Sequence, residues 1–142
     1  MQAIPAGEYL MGSNKGKSDE LPIHKVNISA FWMSKLEVTW DVFELFLYKD
    51  YEKTNSSTIS DQVDAITRPT KPYLDMTFGM GKQNYPALAM TQYSAIQFCK
   101  WLYARTGVFY RLPTESEWEY ACRAGSTTEF SFGDEETKLG EY

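Results

Sequence analysis

The side chains in this sequence that could perform chemistry include two cysteines, Cys99 and Cys122. Cysteine thiolates bind soft metal ions, and a pair of thiols can form a disulfide. The two residues lie 122 − 99 = 23 positions apart, on two different predicted helices. Cys99 falls on the apolar side of its helix, which favours a reduced cysteine buried in the core. The alternatives are a disulfide, with Cys122 or with another partner, and joint binding of a metal ion.

His24 is the single histidine of the chain. One histidine cannot supply a multi-histidine metal site, and it gives little support to a Ser-His-Asp triad. His24 stands between a proline and a predicted strand, and no second ligand is evident. A hydrogen-bonded structural histidine is therefore a simpler interpretation than a metal ligand.

Three carboxylates, Glu115, Glu117 and Glu119, alternate within one stretch, residues 110–121, which reads Tyr-Arg-Leu-Pro-Thr-Glu-Ser-Glu-Trp-Glu-Tyr-Ala. Clustered carboxylates could act as general acid and base. A capping box explains them without such chemistry: the Thr114 hydroxyl can accept a hydrogen bond from the Glu117 N–H, and the Glu117 carboxylate can accept one from the Thr114 N–H. The helix dipole also favours negative charge in this first turn. We therefore assign Glu115 and Glu117 to the start of a helix.

Arg111 precedes this helix and could pair with a buried carboxylate or belong to a structural network. Aromatic residues make up 15% of the chain, which suggests an aromatic core or a stacking groove. Core packing is the simpler explanation, and a groove that binds a peptide is the alternative. Gly79 and Gly81 are spaced like glycines of a phosphate loop, but the stretch lacks a Gly-Lys-Ser/Thr ending, so we expect a turn.

Short strands and a few helices must position these residues. Alternating apolar and polar residues indicate strands, whereas threonine caps and glycines mark helix ends. The predicted strands are residues 7–12, 25–29, 31–38 and 108–112. The predicted helices follow three threonines and end near Lys49 or at a glycine; the threonines are Thr39, Thr91 and Thr114, and the glycines are Gly107 and Gly125.

The second helix is predicted to bury an apolar stripe, with Trp101 on its flank; the stripe consists of Ala95, Phe98, Cys99 and Leu102. Residues 50–67 are polar and lack periodicity, so a long loop is expected there. Few helices, short strands and long loops together indicate an α+β fold.

The charge and hydropathy patterns argue against several classes of function. The chain has 14 Lys and Arg against 19 Asp and Glu, a net charge of −5, and no basic stripe, which argues against nucleic-acid binding. No apolar run approaches the roughly 18 residues of a membrane span. Residues 1–7 lack the basic and apolar regions of a signal peptide, so the cytoplasm is the default expectation.

The chain resembles the formylglycine-generating enzyme (sulfatase-modifying factor) family through motifs that occur in the family's order. Residues 111–121 are similar to its signature Arg-Leu-Pro-Thr-Glu-x-Glu-Trp-Glu-Tyr-Ala. Further segments that resemble the family are residues 4–13, 20–26, 36–39, 85–87, 95–102 and 130–134.

The resemblance implies a compact α+β domain related to the C-type lectin fold. It also implies oxidation of a cysteine in a Cys-x-Pro-x-Arg segment of a sulfatase to formylglycine, with molecular oxygen and with copper held by two cysteines. The family's copper-binding cysteines and calcium ligands lie after the aromatic-Gly-Asp turn, here residues 130–134. We therefore expect residues 1–142 to be the N-terminal part of a single domain of this type.

No catalytic, cofactor-binding or metal-binding residue of the family can be assigned in the chain on this basis. Cys99 and Cys122 match positions that form structural disulfides in secreted members, each with a partner further along the chain. The sulfatase peptide is the expected partner of a complete domain, and no membrane or nucleic-acid partner is expected. The chain alone is expected to be inactive, and missing strands are expected to cause poor solubility or self-association.

Two alternatives to the oxidase remain open. One is a non-catalytic, lectin-like module that binds a ligand with its loops. The other is the substrate-binding part of an iron-dependent sulfoxide synthase, which carries a histidine-containing helical domain upstream.

Overall fold

A computed structural model of the chain describes residues 1–48, 66–69 and 75–141. Of the loop predicted at residues 50–67, residues 50–65 lie outside the described ranges. The described elements in chain order are β1 (Gln2–Ile4), β2 (Gly7–Met11), β3 (His24–Ile28), β4 (Phe31–Met33), α1 (Trp40–Leu47), α2 (Gln92–Thr106) and α3 (Glu115–Arg123), with short 3₁₀ helices at Ser18–Glu20 and Glu136–Glu141. None of these helices has the length and apolar character that a bilayer crossing requires.

The chain forms two compact units. The first combines residues Met1–Lys35 with Pro113–Tyr142, and the second consists of Leu36–Leu112. The mixture of helices and small antiparallel sheets makes the described part an α+β structure.

The first unit contains two antiparallel strand pairs, β1 with β4 and β2 with β3. In the second pair, Tyr9 lies opposite Val26 and Leu10 lies opposite Lys25. Side chains of successive strand residues point to opposite faces, so Tyr9 and Leu10 face different sides of the pair. Helix α3 packs against β2 and β3, which brings the signature helix onto β2, more than a hundred residues away in sequence, and onto β3.

The second unit is built around an aromatic core between α1 and α2. The buried residues are Trp40, Phe43, Phe46 and Leu47 of α1 and Phe98 and Trp101 of α2. Phe46 has no exposed surface, and its ring centroid lies 5.6 to 6.0 Å from the centroids of three neighbouring rings. This core thus contains five of the 22 Trp, Tyr and Phe residues of the chain, whereas others, such as Trp32, Phe109 and Trp118, are exposed.

Both threonine caps that carry side-chain bonds are as predicted. Thr91 Oγ1 accepts from Ser94 N at 3.1 Å at the start of α2, and Gly107 ends that helix in a left-handed conformation. Thr114 and Glu117 form the predicted capping box, with bonds of 3.2 and 2.8 Å. Thr39 occupies the N-cap position of α1 without a side-chain bond.

Three predictions about element ends and faces are wrong. The first left-handed residue after α3 is Ala124, with a φ of 47°, one position before Gly125. The strand predicted at 108–112 is absent from the described residues because no strand pairs with it there. The strand predicted at 31–38 ends at Met33.

The buried face of α2 is also rotated from the predicted stripe. Of the predicted stripe, Phe98 is buried as expected, whereas Ala95, Cys99 and Leu102 are only partly buried. Trp101, which was predicted on the flank, is buried together with Ser94 and Gln97. The physical reason is size: the indole of Trp101 stacks on Phe98 at 5.8 Å and removes more apolar surface from water than Cys99 would.

Candidate functional site

A cleft beside α3 in the first unit is the candidate functional site. Its volume is about 570 Å³, which is within the range of ligand sites. Strands β2 and β3, the end of α3 and the loop that follows it supply the lining residues: Glu8, Tyr9, Leu10, Gly12, Ile23, Lys25, Tyr120, Arg123, Gly125, Ser126 and Thr127.

Two tyrosines join α3 to the strands at this cleft. The Tyr9 hydroxyl donates a hydrogen bond to the backbone oxygen of Ser116 at 3.0 Å, and the Tyr9 and Tyr120 ring centroids lie 5.6 Å apart. A Cβ added at Gly7 would lie 2.3 Å from the Tyr120 hydroxyl oxygen, so glycine allows that hydroxyl to approach the strand backbone. Burial and the nearby Glu119 raise the pKa of Tyr9, with Arg123 opposing the shift. Tyr9 therefore remains protonated and able to donate near neutral pH.

The charged side chains of the cleft occur in pairs. Lys25 Nζ lies 2.7 Å from Glu8 Oε2, and Arg123 Nη2 lies 2.7 Å from Glu119 Oε1. Arg123 also donates to the backbone oxygen of Thr128 at 3.4 Å and so connects α3 to the following loop. Because each cation has an anionic partner, the cleft suits a polar ligand of low net charge better than a polyanion.

The loop after α3 is organised by hydroxyl groups. The hydroxyls of Ser126 and Thr128 form a hydrogen bond with each other, and Thr128 Oγ1 donates to the Phe130 backbone oxygen at 2.6 Å. Phe130 and Phe132 stack at 5.2 Å in the aromatic turn. Asp134 completes the turn by accepting from the Glu129 N–H at 2.8 Å. These bonds hold the exposed Thr127 at the edge of the cleft.

The two cysteines are free and belong to different units. Cys122 is exposed on α3, whereas Cys99 is partly buried on α2 and lines a small apolar cavity of about 300 Å³ in the second unit. Burial raises the pKa of the Cys99 thiol. The predicted position of Cys99 in the core is wrong, because the residue is only partly buried and lies at the margin of the core.

The residues described do not fit a copper site. A two-thiolate Cu(I) site needs two deprotonated thiols, whereas Cys99 is the sole thiol in its cavity and shares it with Lys100 and Arg111. Within the described ranges, no group of three or more His, Cys, Asp and Glu residues could hold a metal ion.

The other residues that the sequence suggested as site candidates make local contacts that belong to the fold. His24 is exposed, and its Nδ1 lies 2.9 Å from the Pro22 backbone oxygen. Arg111 donates to the Leu112 backbone oxygen at 3.0 Å. Glu115 is exposed in the first turn of α3, and Glu119 holds Arg123. Glu119 does not line the cleft itself, but its carboxylate pairs with Arg123, which does.

Sequence reasoning did not identify Tyr9 or Arg123 as site residues. Two signals could have indicated them. Gly7 within a strand marks a close approach by another group. Glu119 and Arg123 are spaced i, i+4 on a predicted helix, which favours an ion pair.

A family model and several known proteins that are similar to this chain indicate the same family. A family model described as the sulfatase-modifying factor enzyme 1-like domain matches residues 1–142. Formylglycine-generating enzyme of Mycobacterium tuberculosis is 27% identical over 176 residues, covering 96% of this chain and 56% of that protein. Formylglycine-generating enzyme of Bos taurus is 30% identical over 154 residues, with coverage of 88% and 40%.

A third relative carries a different name. Serine/threonine-protein kinase pkn1 of Chlamydia pneumoniae is 30% identical over 128 residues, covering 88% of this chain but only 19% of that protein. The chain thus spans about half the length, or less, of the relatives it matches.

Proposed function

The chain belongs to the sulfatase-modifying factor enzyme 1-like domain family, and we propose that it supplies a polypeptide-binding scaffold of such a domain rather than its metal centre. The complete domain would oxidise a peptidyl cysteine of a sulfatase to formylglycine. Copper would be held by cysteines other than Cys99 and Cys122, and structural calcium by residues outside those described. The related C-type lectin architecture is part of the same proposal.

The cleft beside α3 is the observation that supports peptide binding. Its tyrosine rings offer flat apolar surfaces, and its hydroxyl-bearing loop offers hydrogen-bond partners for peptide amides. Because the charged side chains of the cleft are paired, its net electrostatic field is small, which suits a peptide segment with few charged residues. Leu10 is 62% exposed on the lining and gives a peptide side chain an apolar surface to cover.

Binding can be measured by fluorescence anisotropy with a labelled peptide that contains Cys-x-Pro-x-Arg. We expect saturable binding, weakened about five- to tenfold by Leu10→Ala because apolar contact area is lost. Leu21→Ala is the matched control, since Leu21 is 51% exposed and does not line the cleft. Equal effects of the two substitutions, or no saturable binding, would reject the cleft as the peptide site.

The same proposal predicts no oxidase activity for the chain alone. With copper, oxygen and the peptide present, we expect no aldehyde by mass spectrometry, because the described thiols do not form a thiolate pair. Formation of formylglycine by this chain would contradict the assignment of the metal centre elsewhere.

A non-catalytic binding module is the second candidate. It is favoured by the relatives named as serine/threonine-protein kinases, which suggest that domains of this family also occur in proteins of other function. A peptide with serine in place of cysteine distinguishes the two candidates in the same assay. Clear preference for the cysteine peptide favours the sulfatase-directed function, whereas binding to peptides without the motif favours the module.

A further inference from the structure

The cavity that contains Cys99, in the unit formed by residues 36–112, lies on the exposed side of α2. Its volume is about 300 Å³, at the lower end of the range of ligand sites. One side of it is a stripe of α2 residues at i, i+4 and i+7 spacing, which are Ile96, Lys100 and Tyr103. The segment 109–112, which follows the helix and does not form a strand, supplies the other side.

The apolar lining of this cavity is open to solvent. Phe109 is 75% exposed, and Ile96, Tyr103 and Leu112 are exposed as well. A concave surface of neighbouring exposed apolar side chains often marks a binding site. A ligand with an apolar chain would remove this surface from water, and burial of apolar area is what drives such binding.

The two charged residues that line the cavity are both cations, Lys100 and Arg111. No aspartate or glutamate of the described part of the chain lines it, although the chain as a whole has a net charge of −5. Lys100 is exposed, and no carboxylate within the described ranges forms an ion pair with it. Arg111 Nη1 donates to the Leu112 backbone oxygen at 3.0 Å, which holds the guanidinium beside a residue of the lining.

This distribution of charge distinguishes the cavity from the α3 cleft. In the cleft, Lys25 and Arg123 each have an anionic partner. At the α2 cavity, two cations lie beside an apolar surface and no lining carboxylate offsets them. The local field therefore favours a ligand that carries a negative charge next to its apolar part. The apolar stem of Lys100 can lie along such a ligand while its ammonium group stays in water.

We propose that this cavity binds an anionic amphiphile, a medium-chain alkyl carboxylate. Its chain would lie against Ile96, Phe109 and Leu112, and its carboxylate beside Lys100 and Arg111. The volume equals about ten water molecules at roughly 30 Å³ each, which leaves room for about ten non-hydrogen atoms, or a carboxylate of about eight carbons. The site lies within the second unit and does not depend on the peptide-binding proposal.

Cys99 serves as a reporter for the site because it lines the cavity, whereas Cys122 belongs to the other unit. Octanoate is the probe, and octanamide is its neutral counterpart of the same chain length. Peptide mass spectrometry measures the rate at which iodoacetamide alkylates each cysteine as either ligand is titrated. We expect saturating octanoate to slow alkylation of Cys99 by at least about fivefold and to leave Cys122 unchanged. Half-maximal protection should require about tenfold more octanamide than octanoate.

Lys100→Met is the decisive variant because it removes the ammonium group and keeps a long apolar side chain with high helix propensity. We expect octanoate to bind about three- to tenfold more weakly, with octanamide unaffected, since only the carboxylate interacts with the charge. Lys35→Met is the matched control, an exposed lysine of the first unit that does not line the cavity, and should change neither ligand. Leu112→Ala shortens the apolar lining and should weaken both ligands.

Three results would overturn the proposal: equal protection of Cys99 by the two ligands or no protection, equal protection of Cys99 and Cys122, or an equal effect of Lys100→Met on octanoate and octanamide. Alkylation of Cys99 that slows with increasing protein concentration in the absence of octanoate would assign this surface to contact between two copies of the chain. That result would also overturn it.

Discussion

Replacing Gly7 by alanine tests the close approach of α3 to β2. An added Cβ would lie 2.3 Å from the Tyr120 hydroxyl oxygen, more than 1 Å inside the roughly 3.5 Å of an ordinary contact. The φ angle of Gly7 is not in the left-handed region, so the backbone itself accepts alanine. The expected loss is therefore steric, and overpacking of this kind costs about 1–3 kcal/mol.

Tyr120→Phe removes the clashing oxygen and keeps the ring against Tyr9. The nearest remaining atom, Cζ of residue 120, would lie 3.2 Å from the new Cβ, a contact that a small ring shift relieves. Gly7→Ala in this background should be close to neutral, because reduced backbone freedom in the unfolded chain offsets the residual strain. The expected coupling energy between the two substitutions is about 1–3 kcal/mol.

Urea denaturation of the four proteins of this cycle measures that coupling. Similar m values would establish that the variants unfold from comparably compact states. Additive free energies of unfolding, with Gly7→Ala equally destabilising in both backgrounds, would refute the claim that the Tyr120 hydroxyl is what requires glycine.

Three further predictions concern the core, the caps and the thiols. Phe46→Ala should lower the free energy of unfolding by about 3–5 kcal/mol in urea denaturation, because Phe46 is fully buried; a loss below about 1 kcal/mol would contradict the described core. Thr114→Ala should cost about 1 kcal/mol in the same assay, whereas Thr39→Ala, which loses no cap bond, should cost much less; the reverse order would be inconsistent with the observed caps. Cys99 should react with iodoacetamide at least several-fold more slowly than Cys122 near pH 8, because burial restricts access and raises its thiol pKa; equal rates by mass spectrometry would argue against its burial.

Local features of the fold were predictable from the sequence. The caps at Thr91 and Thr114 involve atoms only three residues apart, so the sequence contains all the information they need. The left-handed conformation of Gly107 was also predictable from local sequence, because glycine adopts that conformation without steric cost.

Features that depend on distant partners were not predictable in the same way. Residues 108–112 have the composition of a strand but do not form one, because strand formation needs a partner that no local pattern specifies. The buried face of α2 follows the ring of Trp101, whose environment is set by α1. The α3 cleft depends on Tyr9 reaching a backbone oxygen 107 residues away, so its residues could be recognised only once the strands and α3 were placed together.

The first unit takes its strands from one end of the chain and α3 from the other, and the second unit, Leu36–Leu112, lies between them in sequence. During synthesis on the ribosome, residues 36–112 emerge before α3 does and can begin to fold while β2 and β3 still lack the helix that covers them. The β2–β3 pair thus keeps an uncovered apolar face until residues 115–123 leave the exit tunnel, a delay of several seconds at about 5–20 residues per second. Chaperones that recognise such faces would have their main opportunity in that interval.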